Sequence, residues 1–303
     1  MELQWPLILF TTLVAWSAGV FGTQAVLALR GEAPKAQLSC WITAAVLLAA
    51  GGIAVFFHLE HFERIFNGFG HLTSGITQEL IAIVVLAVAA IVYLVYLRRD
   101  EGKVPAWLAV LSIALAAVLV VVMAHSYMMS ARPAWDSVLW IFYVLGNACV
   151  LGPATVALVC AIVKEPVRLA ATVALIGAAV NAVTTIVYAV TLQFLEGSFT
   201  TVGYYSDPTM PTAPLVDVTA VGNVFTGELA PLMWIGVILV GAVVPLVAAL
   251  LEKRSGAAPA ADGTAAASRA ELWMTVAVVA AVIGAICMRV VFYELGTSVF
   301  MLY

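Results

Sequence analysis

Charge is what this sequence has least of. Only 10% of its residues are Asp, Glu, Lys or Arg, where soluble domains carry about 25%, and a water-solvated globule is excluded on that ground. Cysteine is scarce as well. The four Cys, at 40, 149, 160 and 287, fall within apolar stretches and form no Cys-x-x-Cys pair. An iron–sulfur cluster needs a set of Cys ligands, so none is expected in this chain, and the four read as small buried hydrophobes. The sequence has no Gly-x-x-x-x-Gly-Lys-Ser/Thr loop, no Gly-x-Gly-x-x-Gly turn after a strand and no His-Glu-x-x-His helix. ATP-driven transport and zinc proteolysis are thereby set aside, and no nucleic-acid partner is expected.

Apolar length is what remains. Hydrophobic residues make up 64% of the 303 and the mean hydropathy is +1.10. Eight long runs stand out, near 5–29, 38–58, 79–97, 105–127, 137–162, 168–194, 229–251 and 270–292. About 20 apolar residues cross a hydrocarbon core, and lipid offers no partner to an unpaired backbone group, so each run should be a helix. The expected fold is all-α, a single domain over 1–303: a polytopic bundle of eight transmembrane helices in a lipid bilayer. The first run has nothing basic before it, Arg30 being the first cation, and it reads as a retained helix rather than a cleaved signal.

Orientation follows from the cations. Arg30, Lys35, Arg98, Arg99, Lys103, Lys164, Arg168, Lys253, Arg254 and Arg269 follow the odd-numbered runs or precede the next one. Those are ten of the thirteen Lys and Arg; Arg64, Arg132 and Arg289 belong to the other side. Basic residues concentrate on the cytoplasmic face, so both termini are expected outside, and in a bacterium that is the outer side of the cytoplasmic (inner) membrane. The segment 196–228 has no Lys or Arg and includes Pro208, Pro211 and Pro214, the composition of an ordered loop or lid. On the other side, 255–268 is rich in Ala, Gly and Ser and reads as a flexible linker.

Ionisable residues near membrane depth are costly and therefore informative. They gather between the second and third runs, in HLEHFERIFNGFGHLTSGITQEL. Three of the four histidines, His58, His61 and His71, stand here with Glu60, Glu63, Arg64 and Glu79. Were the second helix to continue through this stretch, His58 and His61 would share a face. His58 has two open readings, an interfacial anchor with a satisfied hydrogen bond or a group that handles protons. Glu79, after Ser74, Gly75 and Thr77, reads as opening a helix. It is either a proton acceptor tuned between dipole and burial or an acid that only complements the dipole. Elsewhere, His125, Tyr127 and Arg132 close the fourth run, and Arg289 in the last one suggests a structural ion pair, with Glu294, Glu79 or Glu228 as its carboxylate. Trp5, Trp135 and Trp140 read as belt residues. His58 and His125 are the only pair that could flank a haem, and no second pair exists for a transmembrane wire.

The sequence resembles the membrane-anchor subunits of dimethyl-sulfoxide-reductase-type molybdenum enzymes. The resemblance runs over nearly the whole chain, through WPLILFTTLVAWSAGVFGTQAVLAL, HLEHFERIFN to SGITQEL, SYMMSARPAW, LGPATVAL and RVVFYELGTSVFM. The stretch from HLEHFERIFN to SGITQEL is the most specific part. The resemblance implies an eight-helix anchor without haem, iron–sulfur cluster or molybdopterin of its own. Such a subunit oxidises menaquinol and passes the electrons to a four-cluster iron–sulfur subunit docked on the outer face. A molybdopterin catalytic subunit receives them in turn. Carried onto this sequence, His58 and Glu79 become the quinol-site His and Glu, with Arg64 in the wall; His61 and Tyr127 complete the expected quinol-binding set. His125 stands where relatives carry a different basic residue, and the 196–228 loop is longer than usual.

Two other classes stay open at this point. A transporter would use the Gly152–Pro153 break and the polar Asn147 and Asn181 as its path, although transporters usually keep their ionisable residues near the midplane. A purely structural anchor would bind quinol elsewhere.

Overall fold

The computed structural model describes residues 3–58, 67, 70–195, 206–207, 210–214, 223–255 and 263–296. Six helices come first: α1 (Trp5–Leu29), α2 (Ala36–Phe56), α3 (Gly75–Arg99), α4 (Ala106–Ser126), α5 (Val138–Ile162) and α6 (Arg168–Thr191). The seventh, α7, is wound as a π-helix over Leu232–Val243 and continues as an α-helix over Val244–Ser255. The last, α8, covers Gly263–Glu294. Within the 196–228 segment, Ser206–Asp207 pairs antiparallel with Met210–Pro214. Among the described residues eight helices are long and apolar enough to cross a membrane. The all-α reading holds.

Three boundaries differ from expectation. α2 ends at Phe56, and His58 lies in the turn that follows, so no helical face carries it on toward position 61. α3 starts at Gly75, four residues before the expected start, and Glu79 is its fifth residue. Residues 263–268, expected in a flexible linker, already belong to α8. Three consecutive alanines there, the best helix formers, extend the helix beyond its apolar part.

α1 and α5 are the most enclosed spans and form the centre. α1 packs on α2, α4 and α5; α5 packs also on α6 and α8, and α7 lies against α6 and α8. In lipid, helices gain little from hiding apolar surface from each other, so close backbone packing at small residues holds them. A Cβ on Gly152 would stand 2.1 Å from the carbonyl carbon of Gly19, and one on Gly284 2.0 Å from the Cα of Gly241. Backbones meet directly at both crossings. Pro153 lies inside α5 without interrupting it. Its missing N–H leaves the carbonyl of Cys149, four residues back, without a helical partner. That carbonyl faces Gly177 of α6, where an added Cβ would come within 1.6 Å of the oxygen. The expected break is thus a contact point between two helices. Large apolar side chains such as Ile53, Ile91 and Val183 point away from the bundle, each about 60% exposed, and form its lipid-facing surface.

Two of the expected belt tryptophans prove to be core. Trp5 is half-exposed, whereas Trp135 and Trp140 are buried. The segment after α4 folds against the end of α8. There Trp135 Nε1 donates to the Phe292 carbonyl at 2.6 Å, and Arg132 donates to the Gly296 carbonyl beside it. Phe292 is sandwiched, with ring centroids 4.8 Å from Trp135 and 3.9 Å from Trp140. The cysteines follow the expected pattern in part. Cys40 and Cys160 are buried and Cys287 is half-buried, but Cys149 is exposed on the outside of α5; none is in a disulfide.

Candidate functional site

Successive spans run in opposite directions. The starts of α1, α3, α5 and α7 therefore share one end of the bundle with the ends of α2, α4, α6 and α8. The polar residues of interest collect at that end.

α3 and α4 meet there because Gly75 has no side chain. A Cβ at Gly75 would lie 2.6 Å from Ser126 Cβ and 3.1 Å from Ser126 Cα. Glu79 is one turn further on, on the same face, and its Oε1 meets Ser126 Oγ in a hydrogen bond. The carboxylate is buried. As the fifth residue of α3 it is past the first turn, where the helix dipole acts most strongly, so complementing the dipole does not explain its place. Ser74 holds the N-cap position but makes no side-chain cap bond.

The Ser126 hydroxyl has two partners and a single proton. It lies against Glu79 and is also 2.8 Å from the Met123 carbonyl. With Glu79 ionised, the hydroxyl donates to the carboxylate. With Glu79 protonated, the carboxyl donates to Ser126 Oγ, whose own hydrogen then turns to Met123. Both protonation states are satisfied without moving a heavy atom.

Tyr127 follows at once. Its ring is half-buried and meets those of Phe292 and Tyr293 edge-on, both with centroids 6.5 Å away. Burial first, then the neighbouring Tyr293 and Glu79, push its phenol well above the ordinary range. Tyr127 is therefore a neutral hydrogen-bonding group here and not a base.

The ion pair expected between Arg289 and Glu294 does not form. Arg289 is fully buried, and its bonds go to neutral groups: Nε to Thr11 Oγ1 at 2.9 Å, Nη1 to Asn147 Oδ1 at 2.8 Å and to the Ala285 carbonyl at 3.1 Å. Five residues along a helix turn Glu294 about 140° away from Arg289, onto another face. Asn147 in turn donates to Asn181 Oδ1 at 2.9 Å, and Asn181 to the Gly241 carbonyl at 3.0 Å. Both amides are thus hydrogen-bonded inside the bundle.

The remaining expected residues are not in this contact set. His58 is exposed, and its Nδ1 lies 3.1 Å from Gln4 Oε1 at the start of α1. Among the described residues it makes no hydrogen bond with Glu79. His125 is exposed at the end of α4, and His71 in the turn before α3. His61 and Arg64 lie outside the described residues, as do Glu60 and Glu63. No group of three His, Cys, Asp or Glu among the described residues is arranged to hold a metal. An apolar groove of about 230 Å³ exists, but it is lined by α1, α4, α5 and α6, including Gly22, Ala116, Cys149 and Gly177. It does not reach Glu79.

Ser126 and Tyr293 are given no role by the sequence alone. A signal existed for each. Tyr293 is four residues after Arg289 and shares its face, and Ser126 adjoins Tyr127 in the SYMM segment already singled out.

Fold and site together define a multi-pass membrane subunit with a carboxylate, phenols and a guanidinium at one end of its bundle. Residues 1–254 match the family model of the DMSO reductase anchor subunit (DmsC), and the chain belongs to that family. It is accordingly the anchor of a DMSO-reductase-type complex, associated with catalytic and iron–sulfur subunits. No curated protein matches the chain.

Proposed function

We propose that the chain binds and oxidises menaquinol at the Glu79 end of the bundle and passes electrons to a docked four-cluster iron–sulfur subunit. A molybdopterin subunit then uses them. The supporting observation is the Glu79–Ser126–Met123 arrangement, a buried carboxylate whose surroundings satisfy it with and without a proton. Quinol oxidation releases two electrons and two protons, and a base of this kind takes the first proton from a ring hydroxyl. Tyr127 supplies a neutral hydrogen-bonding group beside it. On this reading His58, exposed at the same end, passes protons on to water, and the quinol wall extends to His61 and Arg64. No haem, iron–sulfur cluster or molybdopterin is assigned to this chain, so the electron acceptor belongs to the partner. Menaquinol added to the purified complex should reduce the partner's clusters and develop no haem band.

The same reading places this end of the bundle, and both termini, outside the cytoplasmic membrane of a bacterium. Its support is the ten-to-three division of Lys and Arg between the two faces. Replacement of Ser206 and Ser255 by Cys tests it, since the native cysteines all lie within helices. Ser206→Cys should react with a membrane-impermeant thiol reagent in intact cells, and Ser255→Cys only after permeabilisation. Labelling of Ser255→Cys in intact cells would reverse the orientation.

A further inference from the structure

Arg289 poses a problem that its hydrogen bonds leave open. A guanidinium at membrane depth is normally paired with a carboxylate or placed for function. This one is fully buried and, among the described residues, pairs with no carboxylate. It is nevertheless held in place firmly. Thr11 of α1 and Asn147 of α5 take its hydrogens, and Asn147 is braced through Asn181 of α6 on the Gly241 carbonyl. That carbonyl belongs to the π-wound part of α7, and π winding, usually seen as short bulges, is frequent at functional sites.

One turn further along α8 stands Tyr293, on the same face as Arg289. It is 2% exposed, and its hydroxyl has no hydrogen-bond partner. The phenol of Tyr127 lies beside it, with rings at right angles, and the two hydroxyls are near enough to interact without completing a hydrogen bond of ordinary geometry. A buried phenol without a partner calls for an explanation, and a ligand is one. Tyr127 adjoins Ser126, and Ser126 holds Glu79. The carboxylate and the guanidinium thus stand on either side of two phenols, on three different helices.

We propose that α8 forms the second wall of the quinol site, with Tyr293 hydrogen-bonding a ring oxygen and Arg289 supplying the positive charge behind it. The inference rests on the quinol reading above and extends it to a helix beyond the family match. A quinol carries two hydroxyls on opposite sides of its ring, and one carboxylate can serve only one of them. Tyr293 serves the other. In the step concerned, one quinol O–H bond breaks and its proton forms a new O–H bond on Glu79. The quinol is left as a monoanion and no electron has yet moved. In a water-poor site a fixed cation lowers the energy of that anion, and with it the barrier. Arg289 is a positioning residue in this scheme and Tyr293 a binding residue.

The test uses the full chain in nanodiscs, a short-tailed naphthoquinone analogue as the binding probe, and the complete complex for turnover. Tyr293→Phe should weaken probe binding roughly threefold to tenfold, the usual range for one hydrogen bond. Its thermal unfolding temperature should hold or rise, because an unpaired buried hydroxyl has been removed. Arg289→Gln should lower kcat with menaquinol more than it raises KM, and Arg289→Lys should recover part of that loss by restoring the charge. Tyr293→Phe binding the probe as tightly as the parent would overturn this inference and leave the quinol reading standing. A parent chain that does not bind the probe at all would overturn both.

Discussion

Glu79→Gln should lower menaquinol-dependent turnover by roughly 10²–10⁴, the range for losing a positioned general base. The amide keeps the size of the carboxyl and can still bond Ser126, but it cannot accept a proton from the quinol. Assembly with the iron–sulfur and catalytic subunits should be unchanged, as should turnover driven by an artificial donor that reduces the clusters directly. A dipole-complementing acid would behave differently, costing at most about 1 kcal/mol of stability and leaving turnover intact. His58→Asn is the comparison of interest, because His58 is exposed on Gln4 rather than joined to the Glu79–Ser126 pair. Under the proposed roles it should also slow turnover, through proton release, and it should leave probe binding near the parent value. Arg64→Ala should weaken binding or docking more than chemistry.

Gly75→Ala should have the second largest effect, although the glycine itself carries no group that takes part in the chemistry. The added Cβ meets the Cβ and Cα of Ser126 at 2.6 and 3.1 Å. Backbone lies on both sides, so neither helix can yield by turning a flexible side chain. The start of α3 must move off α4 by several tenths of an ångström or more, and Glu79 moves with it. Misplacing a catalytic group by about 1 Å can cost roughly 10²-fold, and a fall of that order in menaquinol-dependent turnover is expected. Artificial-donor turnover should survive. Loss of both activities together would mean that the glycine matters to assembly rather than to the site. Turnover unchanged from the parent would show that the α3–α4 crossing does not set the site.

These residues differ in how far local sequence determines their surroundings. The eight spans were legible because apolar length is a property of consecutive residues, and lipid leaves the backbone no other choice. Glu79 was legible for a related reason, as a carboxylate in an otherwise apolar run. Its partner was not. Ser126 is 47 positions away, and only the missing side chain of Gly75 lets α3 approach it. Arg289 stood out as a buried cation, but its nearest acidic neighbour in sequence suggested the wrong partner. Counting turns along α8 puts Glu294 on another face and Tyr293 on the same one. The real partners, Thr11 and Asn147, come from α1 and α5, and helix packing over such separations is not written in local pattern. Trp135 and Trp140 failed as belt residues for a similar reason. The segment after α4 turns back onto the end of α8, where aromatic rings complete a core instead of facing headgroups.

The central claim is that this chain delivers electrons from quinol through the Glu79 site to its partner. Rapid mixing of menaquinol with the purified oxidised complex, followed by the absorbance of the iron–sulfur clusters, tests it most directly. The account predicts bleaching in the parent complex at a rate that supports turnover. With Glu79→Gln the same signal should be slower by roughly 10²–10⁴, while dithionite reduces both complexes alike. Clusters that menaquinol leaves oxidised in the parent, or reduces equally fast with Glu79→Gln, would contradict it.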